Sequence, residues 1–285
     1  MEIRSMSKSD IPGVLEITKL IWEGRDYVPK LLDIWINEKN KNFPIVCLEN
    51  GIIVAIANMV KIGNMGWSEG LRIHPEWRGK GIASMMTKYL LEKFPFNDIT
   101  TIAFLTNANN SQIIHVAEKM HFKETLRCTM INIGLQDKKG NDSDYFSEIA
   151  PKFTIMQEFS ISEYFLSCFK IRPVHEDTFM SLQKEKWFLS SDKSILVIYE
   201  INNSETSATR IFASVNSKTI ISNQYIINII NFCCSLLKND KQKISISIPN
   251  ELIKNEIKTQ IIKLSDWSEQ VGFALSVKIG KILNS

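Results

Sequence analysis

Residues 68–83 read SEGLRIHPEWRGKGIA, and this run restricts the fold more than any other stretch. A β-prone segment, Gly70 to Ile73, reaches His74-Pro75, a dipeptide that a central strand does not continue through. Arg78-Gly79-Lys80-Gly81-Ile82-Ala83 comes next, and a helical pattern extends from about Gly79 to Phe94. A strand that stops, a glycine-rich turn and a helix start together make an anion site. First-turn N–H groups lack intrahelical partners, the helix dipole adds about half a positive charge, and glycine lets backbone approach a phosphate. Arg78 and Lys80 add side-chain charge at the same place.

Two phosphate motifs do not fit. A P-loop places Ser or Thr after its lysine, whereas Gly81 follows Lys80. A dinucleotide fingerprint needs a third glycine where this chain has Ser84, and no acidic residue about twenty positions on ends a second strand. With 285 residues and a net charge of +3, the chain is long enough for two modest domains and too weakly basic to imply a nucleic-acid surface. Cys47, Cys128, Cys168, Cys233 and Cys234 show no disulfide or metal-ligand spacing, so reduced buried thiols are expected and no metal. No charged-then-apolar leader and no apolar run near the ~20 residues of a membrane span is present, which points to a cytoplasmic protein away from membranes.

Around the loop, the first 133 residues alternate between strands and helices. A strand at Glu2–Met6 precedes an amphipathic helix with Pro12 in its first turn and Val14, Ile17, Leu20 and Ile21 on one side. A second helical piece spans Pro29–Ile36. Strands at 44–48 and 52–62 flank the hairpin turn Asn50-Gly51, and an Asn64–Gly66 turn feeds the strand ending at Ile73. Beyond the helix come a strand near 99–105, a helix at 110–120 and a strand at 122–133.

The pattern Arg78-x-x-Gly81-x-Ala83 in this β-α-α-β-β-β-α-β-α-β order resembles the GNAT acetyltransferase superfamily. The spaced motifs I-W-x-G-x-D-Y-x-P, with Trp35 six residues after Pro29, and E-G-L-R-x-x-P-x-x-R-G-K-G-I-A are similar to its histidine N-acetyltransferase group. The resemblance implies an α/β fold with a mixed sheet, acetyl-CoA as co-substrate, and a small-molecule amine, of the free amino acid class, as acceptor. It places the pyrophosphate on the amides of Gly79, Lys80, Gly81, Ile82 and Ala83 beside Arg78. The pantetheine arm would lie along backbone groups of Leu71 and Ile73, with Asn107 and Asn110 near that gap or serving as turn and helix caps. Acetyl transfer needs a base for the amine proton, and Glu69 on the same strand is the candidate; with a period of two it shares a face with Leu71 and Ile73. A solvated Glu69, or one paired with Arg72, is the plain alternative. Relatives place a tyrosine acid where this chain has Ala117, and His121 stands where they have a glycine, so that helix needs another way out of its last turn. Trp22, Asp26, Tyr27 and Arg72 would wall the acceptor site, while Trp35 reads as core.

Residues 136–152 are polar, contain Gly140 and Pro151, and read as a linker between a catalytic domain at 1–135 and a second domain at 153–285. The second half runs through strands at 194–200 and 208–215, a helix at 222–237, a strand at 243–248, a helix at 251–267 and a strand at 273–279. Without any Arg-x-x-Gly-x-Gly/Ala loop, it reads as a degenerate GNAT-like domain. Its role, a homodimer contact among the choices, stays open, as do a protein N-terminus or lysine as acceptor and a non-catalytic CoA-binding protein.

Overall fold

The computed structural model describes residues 1–133, 145–160, 164–167, 170–200, 209–215, 223–236, 244–249 and 267–276. They fall into two compact units. The first contains Met1–Phe104 and Ser111–Lys123 with the chain end from Ala274, and the second contains Leu105–Asn110 and Glu124–Phe273.

In the first unit, β1 (Glu2–Ser5), β2 (Asn42–Glu49), β3 (Ile52–Ile62), β4 (Met65–Ile73) and the start of β5 (Thr101–Asn107) lie side by side in that order. The first four are antiparallel and β4 and β5 are parallel. Asn50 and Gly51 both take positive φ, 50° and 78°, the twist-matched turn that this dipeptide favours between strands. Helices α1 (Ile11–Lys19) and α2 (Leu32–Asn37) cover one face, burying Val14, Leu32, Trp35 and Ile36 with Val28 against Val46 and Ile56. The entry to α1 is fastened by Asp10, which accepts two hydrogen bonds from Arg4 at 2.8 Å and one from the Ser7 N–H at 2.8 Å. Those partners, Arg4 foremost, hold the Asp10 carboxyl down at about 2.

Helix α3 (Ile82–Lys93) buries Ile82, Met86 and Leu90 and forms the crossover to β5. It starts three residues later than its apolar pattern suggests, because Gly79 and Gly81 sit in the left-handed region. Helix α4 (Ser111–Lys119) ends in a way the residue types argue against. His121 itself adopts φ 63°, its N–H donates to Glu118 O at 3.0 Å, and the Phe122 N–H donates to Ala117 O at 2.9 Å. This is the Schellman closure that glycine usually makes, here formed by a histidine at some conformational cost.

In the second unit, β6 (Lys123–Ile133), β7 (Phe146–Ile149), β10 (Lys186–Ser190), β11 (Ile195–Glu200), β12 (Thr209–Val215) and β13 (Ile244–Pro249) pair in the order β6-β13-β12-β11-β10-β7, with only β12 and β13 parallel. A separate hairpin joins β8 (Tyr164–Ser167) and β9 (Lys170–Pro173). Helices α5 (Phe153–Glu158) and α6 (Glu176–Leu182) pack Met156 and Leu182 against Trp187, Leu196 and Ile198; α7 is Asn223–Ser235. Strand β7 falls inside the expected linker 136–152, whose residues up to 144 lie outside the described residues, as does the expected helix at 251–266. Trp267, placed at the end of that helix, instead opens β14 (Trp267–Ser276). Cys47, Cys128, Cys233 and Cys234 are buried and in no disulfide, and Cys168 lies outside the described residues.

Candidate active site

The loop after β4 is shaped by its glycines. Pro75–Trp77 makes one 3-10 turn, Arg78 is extended, and Gly79 and Gly81 take φ of 75° and 78°. The first helical bond into this segment runs from the Met85 N–H to Gly81 O at 3.1 Å, leaving the amides from Gly79 to Ala83 ahead of the α3 ladder. A Cβ at Gly79 or Gly81 would meet nothing within 4 Å, so the backbone surface there is open. The two cations are held close by: Arg78 Nε donates to Ile73 O at 3.3 Å, and Lys80 Nζ lies 4.2 Å from the Trp77 ring centroid. Ile82 turns its side chain into the core and offers only its amide.

Strand β4 carries an irregularity that changes which residues act together. Asn58 of β3 pairs with Glu69 and Ile56 with Arg72, so Gly70 and Leu71 together oppose Ala57 alone. This is a β-bulge, with Gly70 at φ 69°. The extra residue shifts the parity of the strand. Glu69 and Arg72, three apart, therefore point to the α1–α2 face together, while Ile73, opposite Ala55, belongs to the other face. The period-two reading that grouped Glu69 with Leu71 and Ile73 fails for this reason. Pairing of β4 with β5 covers only Met65, Gly66 and Trp67, so from Ser68 to Ile73 the β4 backbone has no ladder partner on β5.

Glu69 and Arg72 of β4 both meet the α1–α2 segment. Trp35 Nε1–H donates to Glu69 Oε1 at 3.1 Å. Arg72 binds Asp26 in a two-pronged ion pair, Nε to Oδ2 at 2.8 Å and Nη2 to Oδ1 at 2.9 Å. The Asp26 side chain is fully buried and that of Arg72 is 12% exposed. The guanidinium carbon lies 4.7 Å from the Trp22 ring centroid and 5.1 Å from that of Tyr27. Burial works against the Arg72 charge, yet Asp26 and Tyr27 together outweigh it and the pKa is raised. Burial also pushes the Tyr27 phenol up, against the pull of Arg72. Trp22, Glu23 and Gly24 have φ of 46°, 57° and 80°, a left-handed turn that carries the indole onto Arg72.

Asn107 and Asn110 make bonds within their own turn. Asn107 Oδ1 accepts from the Asn109 N–H at 2.9 Å, Asn107 O accepts from the Asn110 N–H at 2.9 Å, and Asn110 Nδ2 donates to Thr106 Oγ1 at 3.2 Å. These bonds shape the turn into α4. Ala117 is buried and carries no acid. Sequence reasoning missed the indole bond to Glu69 and the Asp26–Arg72 pair. An isolated Gly70 within a strand pattern was the signal that could have exposed the bulge behind both. Among the described residues no cluster of His, Cys, Asp or Glu could hold a metal ion, and no helix is long and apolar enough to cross a membrane.

Residues 12–122, which span this loop and both halves of the α1–α2 site, match the family model described as the acetyltransferase (GNAT) family. In sequence this segment is similar to a GNAT acetyltransferase domain. Within it the chain is similar to the histidine N-acetyltransferase of Scomber australasicus, 28% identical over 102 residues, which are 34% of this chain and 30% of that protein. Against the histidine N-acetyltransferases of three species, the matches span 26–30% of those proteins. An acetyltransferase of Pectobacterium atrosepticum is 29% identical over 137 residues, 45% of this chain and 91% of that protein. In structure, a GCN5-related N-acetyltransferase from Sphaerobacter thermophilus covers 99% of this chain and 97% of its own at a TM-score of 0.66, with 10% identity. The fold likeness therefore runs the length of the chain, while the GNAT family match is confined to the first half.

Proposed function

We propose that the chain is an acetyl-CoA-dependent N-acetyltransferase whose acceptor is the amine of a small molecule of the free amino acid class. The observation that carries this reading is on β4, where a carboxylate, a strand edge not laddered to β5 and a glycine-built helix start follow one another within fifteen residues. The amides of Gly79 to Ala83, with Arg78 and Lys80 at hand, would take the CoA pyrophosphate. The edge from Ser68 to Ile73 would take the pantetheine amides as a further strand, and a backbone N–H at Leu71 would polarise the thioester oxygen. Glu69, directly or through water, receives the proton that the acceptor ammonium loses. The amine nitrogen then attacks the acetyl carbon, the C–S bond breaks, and the second proton that the nitrogen sheds passes through solvent to the leaving CoA thiolate, which departs as thiol. Because the Arg72 charge is matched by Asp26 and its guanidinium already lies over Trp22 and Tyr27, the acceptor ammonium would be met by the Glu69 carboxylate. On this reading residues 1–135 perform the chemistry and 153–285 form a GNAT-like domain without a phosphate loop.

The test is thiol release from acetyl-CoA with a panel of amino acids and polyamines. Turnover is expected with at least one amino acid, and Glu69→Gln should lower kcat by about a hundredfold while CoA still binds. Absence of thiol release with every acceptor would refute the reading.

A further inference from the structure

Trp35 occupies an unusual position for a core tryptophan. It is 1% exposed and packs among Val14, Leu32, Val46 and Ile56, yet its one polar atom leaves that cluster to bind a side chain on β4. The benzo end of the indole rests on the bulge. A Cβ built on Gly70 would lie 2.3 Å from Trp35 Cη2 and 3.1 Å from Cζ2, a separation that only a missing side chain allows. The ring is thus clamped between the α1–α2 core and the Gly70 backbone, and the clamp aims Nε1–H at the residue before the glycine.

We infer that Trp35 is a positioning residue for Glu69: its indole N–H holds Oε1 and fixes the carboxylate on the face it shares with Arg72. The inference rests on the reading of Glu69 as the base. A glutamate has three rotatable side-chain bonds, and a half-buried one on a strand can turn along the strand or across it. One charge-assisted bond from a donor that cannot itself move selects a single arrangement before the acceptor arrives. A tryptophan serving as filler needs only some acceptor for its N–H, and a main-chain carbonyl would do, as Leu182 O does for Trp187 at 3.1 Å. Trp35 gives that bond to the one carboxylate of β4.

A double-mutant cycle separates positioning from packing. Trp35→Phe, Glu69→Gln and the double variant are compared at saturating acetyl-CoA and acceptor. Introduced into the wild-type chain, Trp35→Phe should lower kcat about tenfold; introduced into the Glu69→Gln variant, it should lower kcat less than twofold, with KM for acetyl-CoA unchanged. Equal losses in both backgrounds would show a packing role and overturn the inference while leaving the functional reading standing. If Trp35→Phe does not fold, the 15N indole resonance of Trp35 decides: it should move upfield in Glu69→Ala, and an unmoved signal overturns the inference. A wild-type chain that releases no thiol with any acceptor refutes the functional reading and this inference with it.

Discussion

Replacing Asp26 by Asn tests whether the Arg72 charge is held in place by the α1–α2 segment. The substitution keeps shape and volume but removes the charge facing a guanidinium that is only 12% exposed. At an effective dielectric of about 20, unit charges about 4 Å apart attract by about 4 kcal/mol, and breaking a buried pair by removing one partner typically costs about 3–5 kcal/mol. The Asp26 Oδ1 also accepts from the Val28 N–H at 3.2 Å, a bond that Asn can keep through its carbonyl, so the loss is mainly electrostatic. We expect Asp26→Asn and Arg72→Met each to cost about 3–4 kcal/mol. The double variant should cost about 2 kcal/mol less than their sum, because neither charge is then left alone. Urea unfolding at pH 7 can be followed by tryptophan fluorescence, since Trp22, Trp35, Trp67 and Trp77 all belong to this unit. With a slope of about 1–3 kcal/mol per molar urea, each single variant should move the midpoint by more than about 1 M. Additive losses, or a shift of a few tenths molar for Asp26→Asn, would refute the account of a coupled buried pair.

Further outcomes follow from the backbone and from Asp10. Gly70→Ala should cost about 3 kcal/mol or more, since it adds both left-handed strain and a clash with Trp35, whereas Gly79→Ala should cost about 1 kcal/mol and raise KM for acetyl-CoA. Thermal melts of the two variants check this, and equal losses would contradict it. His121→Gly should stabilise by about 0.5–1 kcal/mol, read as a melting temperature higher by about 2 °C, because the residue already has φ 63°. Asp10→Asn should cost about 2 kcal/mol at pH 7. With its carboxyl at about 2 in the folded protein and 3.8 ordinarily, Asp10 stabilises fully above about pH 4 and loses its contribution as pH falls through about 2. Urea titrations of wild type and variant should therefore differ at pH 7 and converge at about pH 2.

What could be read in the sequence was whatever local chemistry enforces. Asn50-Gly51 can hardly avoid its hairpin turn, and Gly79 and Gly81 before an apolar helix leave few arrangements other than the one found. Periodicity located β4 to its last residue but misjudged its faces, because a bulge is defined by the partner strand and the count against Ala57 exists only once β3 is beside it. The same limit hid the Asp26–Arg72 pair, whose members are 46 residues apart. At His121 composition misled in the other direction. Glycine is the favoured residue in that conformation, yet two hydrogen bonds and the burial of Phe122 suffice to hold a histidine there.

The bulge makes β4 a strand whose length cannot drift. A loop can gain or lose a residue and its neighbours adjust, but β4 has an ion pair anchored before the glycine loop and a carboxylate anchored before the bulge, with both anchors in the α1–α2 segment. Inserting one residue between Gly70 and Arg72 would carry Arg72 past Ile56 to the opposite face, stranding a fully buried Asp26, and would push the loop about 3 Å along the strand relative to Glu69. A chain built this way tolerates substitutions along β4 far better than an added residue, so insertions in natural or engineered variants should stop at Met65 and resume only beyond Gly81.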